Sequence, residues 1–372
     1  MSGEAGDTPG LDPVVTRAPH LRPRWGRRSP GRQDGGLGDD RGGPSYAALD
    51  LGTNNCRLLV ARPAGNSFRV VDAFSRIIRL GEGVSSSRRL SDAAIARAID
   101  ALTICRDKMK NKGVTRARLI ATEACRAAEN GDDFRARVAE EIGLELEVID
   151  RETEAQLAAT GCTTLIDPQA TGAVLFDIGG GSSEMVRLDR PRNGNGGPPL
   201  PEIRGWISLP YGVVTLAERY GGINVSQQTY AAMVHEVAAM IAPFAREHTG
   251  DSLRGVHMLG TSGTVTTIAG VHLNLKRYDR SRVDGCWMNA RQISAVIERL
   301  LGMSYPERVA SPCIGAERAD LVLAGCAILD AIRRAFPCPQ LRVADRGLRE
   351  GMLVQMMRED GVWNGGGEAA AS

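Results

Sequence analysis

Aromatic residues are scarce in this chain: Phe, Trp and Tyr make up 4% of its 372 residues. Its cores must therefore come from small and aliphatic side chains within a hydrophobic fraction of 42%. An excess of one charge is also lacking. Lys and Arg total 46 against 44 acids, a formal net charge of +2. That balance argues against a dedicated nucleic-acid binder, which carries a strong basic excess. No run approaches the ~18 apolar residues of a membrane helix, since the richest, Ala319 to Ile332, is broken by Asp320 and Asp330. The N-terminal stretch has no apolar centre of the kind a secretory signal needs. The eight cysteines (56, 105, 125, 162, 286, 313, 326 and 338) form no C-x-x-C pair. They read as small buried hydrophobes in a reducing compartment, not as a disulfide framework or a zinc site. The five histidines show no ligand spacing.

Reaction signatures are missing too, and each absence removes a class. There is no G-x-x-x-x-G-K-[ST] loop, no D-x-D-x-T and no G-x-S-x-G elbow. Cys286 and Cys313 each have an Arg one position too early for a C-x₅-R phosphatase loop. The G-x-G-x-x-G fingerprint of a nicotinamide enzyme is absent as well.

What is present falls into two tails and a long structured middle. Length predicts two domains, because single cores stop growing near roughly 250–300 residues. Residues 1–44 are rich in Gly, Pro and Arg, cannot offset their ordering entropy by burial, and read as a disordered tail. Arginines at 17, 22, 24, 27, 28 and 32 offer contacts to an anion, but a solvated tail is the simpler reading. Arg190 to Pro201 reads as a long hairpin loop, and residues 361–372 as a frayed end. Helical spacing of apolar residues predicts helices over 92–110, 134–142, 152–161, 230–246, 291–301, 318–335 and 347–357. The methionines of the last are expected to pack in a core.

The most telling feature is a repeat. Tyr46 to Asp50 is an apolar run ending in an acid, followed by Gly52, Thr53, Asn54 and Asn55 and a second apolar run. Ala173 to Asp177 does the same, followed by Gly179, Gly180, Gly181, Ser182 and Ser183. Asp50 and Asp177 stand 127 positions apart. Both units read as strand, turn, strand. Gly-rich turns after strands present N–H groups to phosphate oxygens, and Gly260 to Thr267 is a third candidate. Paired acids beside such loops suit Mg²⁺, which takes oxygen ligands and keeps waters. Capping of the two turns by Asp50 and Asp177 is the plainer alternative, and both stay open on spacing alone.

The turns resemble known motifs. Asp50 to Asn55 and Asp177 to Glu184 are similar to the two phosphate motifs of the acetate and sugar kinase, Hsp70 and actin superfamily, and Leu259 to Gly270 to its nucleoside-side motif. Further segments resemble one branch, the Ppx/GppA phosphatases: Arg79-Leu-Gly-Glu-Gly83, Ala121-Thr-Glu-Ala-Cys-Arg126, Ser208-Leu-Pro-Tyr-Gly212, Arg318-Ala-Asp320 with Ala324 to Leu329, and Asp345-Arg-Gly-Leu-Arg-Glu-Gly351. They run in order from about Tyr46 to Met357. The resemblance implies an α/β fold of two similar actin-like domains, 45–152 and 153–360, facing an interdomain cleft. It implies hydrolysis of a terminal phosphoanhydride, with Glu154 as base for water and Arg126 on the phosphate. Asp50, Asp177 and Glu184 would hold Mg²⁺. Gly52, Thr53, Asn54, Arg79, Gly179, Gly180, Gly181, Ser182, Ser183, Gly260, Ser262 and Gly263 would bind substrate.

On this reading the chain is an exopolyphosphatase acting on inorganic polyphosphate, and a pppGpp 5′-phosphohydrolase is the alternative. An actin-like ATP-dependent kinase and a non-catalytic sensor are readings from other classes. The resemblance also implies a cytoplasmic protein with no nucleic-acid or membrane partner, and leaves a homodimer open. Long family members add helical C-terminal domains for which this sequence has no room, so weaker grip on long chains is expected.

Overall fold

The computed structural model describes residues 43–65, 67–190, 201–249 and 253–362. All but residues 43, 44, 361 and 362 of the expected tails, and most of the 190–201 loop, lie outside the described residues. Eleven strands are described: β1 (Tyr46–Leu51), β2 (Asn55–Ala64), β3 (Ser67–Ile77), β4 (Arg116–Ala121), β5 (Glu147–Val148), β6 (Gly172–Ile178), β7 (Ser183–Asp189), β8 (Glu202–Leu209), β9 (Val256–Thr261), β10 (Trp287–Asn289) and β11 (Gln340–Ala344). The first sheet has the order β3-β2-β1-β4-β5 and the second β10-β11-β9-β6-β7-β8. In each, a three-stranded antiparallel meander is followed by two strands parallel to its first member, and in the second sheet β10 adds an antiparallel edge beside β11. The repeat seen in two short segments is thus a repeat of topology.

β1 and β6 are buried along almost their whole length. This is the signature of central strands covered on both faces, and it explains their unbroken apolar runs. On one face of the first sheet pack helices Asp92–Asn111 and Gly131–Ile142, through Ile95, Leu102, Phe134 and Val138. The second sheet is covered by helices Gln227–His248 and Val322–Ala335, among others, through Met233, Val237, Ile328 and Ile332. All eight cysteines are free thiols, six of them buried.

The expected helices are present with bounds shifted by a few residues. The helix expected from 318 begins at Val322, after a turn. Helices Val213–Tyr220 and Gly263–His272 and strands β3, β5, β10 and β11 were not anticipated. The last helix, Leu348–Glu359, does pack its methionines in a core, but in that of the first sheet. Met352, Leu353, Met356 and Met357 meet Tyr46, Ala48, Leu59 and Ala61 of β1 and β2. It crosses helix Arg151–Cys162 backbone to backbone. A Cβ on Gly161 would lie 2.0 Å from the Gly347 carbonyl oxygen, and one on Gly351 2.0 Å from that of Leu157. The chain therefore passes between the sheets twice at one place, and the cleft opens beside it.

Candidate active site

The two hairpin turns close in the same way. Gly52 N–H donates to the Asn55 carbonyl at 2.9 Å, and Gly179 N–H to the Ser182 carbonyl at 2.9 Å. In the antiparallel register Asp50 faces Arg57, and Asp177 faces Glu184. The turns also touch each other. A Cβ on Gly180 would stand 2.9 Å from Thr53 Cβ and 3.1 Å from the Asn54 nitrogen; one on Gly181 would stand 2.7 Å from Thr53 Oγ1. Glycine is needed here so that two backbones can approach.

Each turn is held from behind. The Asn54 carbonyl accepts from Ile78 and Arg79 N–H at 2.9 and 3.0 Å, and the Thr53 carbonyl from Gly81 N–H at 2.9 Å. The Gly179 and Gly180 carbonyls accept from Val213 and Val214 N–H at 2.9 and 2.8 Å. Thus Arg79–Gly83 backs the first turn and Ser208–Gly212 leads into the backing of the second. Gly212 lies so close to Gly180 that a Cβ on it would meet the Gly180 carbonyl carbon at 2.3 Å.

Between the turns is a cavity of about 120 Å³ lined by Asp50, Gly52–Asn55, Arg57, Glu123, Glu154, Asp177–Ser182, Glu184, Ser262, Gly263 and Arg318, among others. It adjoins an outer cleft of about 690 Å³. Glu154 lies in the first turn of helix Arg151–Cys162, whose N-cap Asp150 accepts from Thr153 N–H at 2.7 Å. Burial first, then Glu184 and Asp50, push its carboxyl well above the usual range, with Arg126 opposing them. Asp50 is raised by burial, against the pull of Arg57 and Arg349. Burial lifts Asp177 to about 6. Glu184 is lifted to about 7, mostly by burial, although Ser182 Oγ at 2.7 Å and Ser208 Oγ at 2.9 Å donate to it. Four of the five acids lining this space hold protons more tightly than usual, first because they are desolvated and then because acids lie near, which is the electrostatic shape of a place for a cation.

The structure brings Asp50, Gly52, Thr53, Asn54, Glu154, Asp177, Gly179, Gly180, Gly181, Ser182, Glu184, Ser262 and Gly263 to this cavity. It does not bring the others. Arg126 is engaged throughout: Nε and Nη2 donate to Glu123 at 3.0 and 2.7 Å, Nη1 to the Ile149 carbonyl at 2.7 Å, and Nη2 also to Glu154 at 3.1 Å. Here it steadies the candidate base and does not line the cavity. Arg79 pairs with Asp320 and does not line the cavity. Ser183 is buried and donates to the Tyr211 carbonyl at 2.7 Å. Gly260 is a core position of β9, where a Cβ would strike Phe176 Cζ at 2.5 Å.

Arg57, Glu123, Asn55 and Arg318 line the cavity and were not singled out as site residues from sequence. Arg57 was legible in principle, because it is the strand partner of Asp50 in the expected hairpin. Arg349 and Arg76 join Arg57 and Arg318 along the outer cleft. These four make no ion pair among the described residues, an arrangement that leaves them for an anion.

The residues fit Mg²⁺. The donors are all oxygens, as a hard cation requires, and the buried Asn54 and Asn55 Oδ1 atoms have no hydrogen-bond partner among the described residues. Among the described residues, no three carboxylates are gathered tightly enough to hold an ion alone. Water and substrate oxygens would complete the shell, as is usual for this ion. No described helix is long and apolar enough to cross a membrane.

Comparison with known proteins gives one consistent result. The model of the Ppx/GppA phosphatase family matches residues 59–360. Exopolyphosphatase 2 of Mycobacterium tuberculosis is 28% identical over 329 residues, covering 83% of this chain and 98% of that protein. Among solved structures, the Aquifex aeolicus member of the Ppx/GppA family aligns with a TM-score of 0.70 at 27% identity, over 85% of this chain and 98% of that one. An exopolyphosphatase-like protein aligns with a TM-score of 0.75 at 29% identity, over 85% and 99%.

Proposed function

Because the chain belongs to the Ppx/GppA phosphatase family, we propose that it is a phosphoanhydride hydrolase that releases terminal orthophosphate from inorganic polyphosphate. The observation carrying this is the cavity itself. The Glu154 carboxylate, at a helix start and 16% exposed, shares the cavity with two glycine-bearing turns and four further acids, and the cavity opens on a cleft edged by arginines.

The terminal phosphoryl group lies between the turns Gly52–Asn55 and Gly179–Ser182, where backbone N–H groups and the Thr53 hydroxyl can donate to its oxygens. Glu154 orients the attacking water and accepts its proton; its raised proton affinity makes it a stronger base than an exposed carboxylate. Arg126 fixes the Glu154 carboxylate, and Glu123 and the Ile149 carbonyl fix Arg126. Asp50, Asp177 and Glu184, with Asn54, would hold Mg²⁺, which when bound neutralises charge on the phosphate oxygens. Arg57 and Arg318 complement charge on the departing chain, and Arg76 and Arg349 lie further along its path in the outer cleft.

The choice of polyphosphate over pppGpp follows the curated relative, named an exopolyphosphatase. The test is phosphate release with Mg²⁺ from polyphosphates of several lengths, pppGpp and ATP. Release from polyphosphate with higher kcat/KM than from pppGpp is expected. Preference for pppGpp would move the substrate assignment, and release from none of them would remove the enzymatic reading.

A further inference from the structure

Arg79 closes a link between the two sheets. Its guanidinium is bidentate on Asp320: Nη1 donates to Oδ2 at 2.9 Å and Nη2 to Oδ1 at 3.1 Å, and Nη2 also reaches the Glu317 carbonyl at 3.2 Å. Its own backbone is the strut behind the first turn, since Arg79 N–H donates to the Asn54 carbonyl. Asp320 follows Arg318, which lines both the cavity and the outer cleft. Arg79 adopts φ 46°, a left-handed backbone that a non-glycine residue takes only when its surroundings hold it there.

A second link runs the other way. Glu218 lies on helix Val213–Tyr220, whose first N–H groups hold the Gly179 and Gly180 carbonyls. Its carboxylate accepts from Gly83 N–H at 2.7 Å and from Ser85 Oγ. Each link thus joins the support of one phosphate turn to an element of the opposite half. The Arg79 and Asp320 side chains are 31% and 22% exposed, so water reaches the bond, whereas the helix crossing at Gly161 and Gly347 is backbone packed on backbone. One margin is sealed and the other is held by exchangeable polar bonds.

We infer that Arg79–Asp320 and Glu218–Gly83/Ser85 form a two-part latch across the cleft. Closed, as here, it sets the spacing of the two phosphate turns; open, it lets polyanion and product exchange. Arg79 and Asp320 are then positioning residues, and Arg79 acts through the Asn54 turn, not by touching substrate.

The experiment is a double-mutant cycle, Arg79→Gln, Asp320→Asn and both together, with Glu218→Gln as an independent probe of the second link. Two readouts are used: phosphate release from polyphosphate, which rests on the proposed function, and backbone hydrogen exchange without substrate, which does not. Asp320→Asn is expected to quicken exchange in residues 78–84, some 240 positions away in sequence, and Glu218→Gln in 83–85. In turnover, each single variant should lower kcat several-fold. The double variant should be little worse than either, a coupling of at least about threefold. Unchanged exchange in Asp320→Asn and Glu218→Gln would overturn the latch, as would full additivity of the two losses. A rise in KM confined to Arg79→Gln, with Asp320→Asn normal, would instead make Arg79 a substrate ligand. If no variant or parent hydrolyses polyphosphate yet exchange responds as stated, the latch stands and the substrate assignment fails.

Discussion

The hairpins β1–β2 and β6–β7 share one backbone design and differ in what it carries. Residues 50, 52, 55 and 57 of the first correspond at a constant offset of 127 to residues 177, 179, 182 and 184 of the second. The turn-closing hydrogen bond and the strand register coincide at these positions. Opposite the aspartate, however, the first hairpin has Arg57 and the second Glu184. In the first an acid lies opposite an arginine, Arg57, whose charge offsets both it and Asp177. In the second two acids face each other in a desolvated space. The turns differ likewise. Asn54 and Asn55 present side-chain oxygens, whereas Gly179–Gly181 present bare backbone. A duplicated scaffold thus gives two turns of the same shape, with the second hairpin suited to a cation and the first sharing the work between acid and arginine. The asymmetry is what a reaction needs when metal and phosphate must occupy one cleft without competing for the same side chains.

The strongest way to sharpen this comparison is at the residue between the turns. Glu154→Gln keeps the shape of the side chain and removes its proton acceptor. Turnover should fall by at least about 100-fold, the lower end for loss of a general base, while the folded state and polyanion binding persist. Rapid phosphate release by a well-folded Glu154→Gln would show that neither hairpin presents its phosphate to this residue.

The second test asks whether the Asp177–Glu184 pair is the cation side. The folded-state pKa of Asp177, about 6, lies above its ordinary 3.8. Its contribution to stability is therefore fully present below pH 4 and is lost as pH rises toward and through 6. The shift corresponds to about 3 kcal/mol. In EDTA-treated protein, the stability of Asp177→Asn relative to the parent should improve by that order between pH 4 and 7. Mg²⁺ should stabilise the parent more than the variant. Calorimetric melting across this pH range checks it; a stability difference that does not change with pH would deny Asp177 the role.

Much of this was legible in the sequence, for a physical reason. A strand buried on both faces must be apolar, so an acid at its end is conspicuous. Asp50 and Asp177 could be paired by eye because the topology repeats with them. The specific segments Arg79–Gly83 and Ser208–Gly212 were legible as motifs, but not in their role. They hold turn carbonyls from behind through backbone N–H groups, which carry no residue code. Arg79 and Arg126 illustrate the limit. A positive side chain in a phosphate-binding chain reads as a phosphate contact until its carboxylate partners, Asp320 and Glu123, are known to lie within hydrogen-bond reach. Gly260 misled because a glycine required by the Phe176 ring looks the same in sequence as one required by a ligand. The destination of the last helix was hidden as well, because apolar spacing gives a buried face and not the sheet it meets.

A third test separates the turns by the space around them. A methyl group on Gly52 would lie 3.6 Å from the Asn55 carbonyl oxygen, an ordinary contact. On Gly180 it would press on Thr53 and Asn54, and on Gly212 on the Gly180 backbone. Gly180→Ala and Gly212→Ala should each cost about 1–3 kcal/mol in stability, as overpacking does, and lower turnover with it. Gly52→Ala should leave stability nearly unchanged. Thermal melting and phosphate release on the three variants decide it. Equal sensitivity at Gly52 would mean that the first turn, too, works by bare backbone.

The smallest expected effect probes how each hairpin controls its acid. Asp50 has an arginine opposite it, whereas Glu184 accepts from the Ser182 and Ser208 hydroxyls, which with the charge of Arg126 favour its ionised form. With Glu184 near 7, a modest change in these donors alters how much of it is ionised at neutral pH. Ser208→Ala removes one donor, worth about 1 kcal/mol, and raises the proton affinity of Glu184 further. The Mg²⁺ concentration for half-maximal phosphate release should then rise several-fold at pH 7. The gap should narrow at pH 8.5, where the carboxylate is ionised in both proteins. A gap equally wide at both values would mean that Ser208 holds the geometry of the pair and not its charge, and the contrast between the hairpins would then be one of shape.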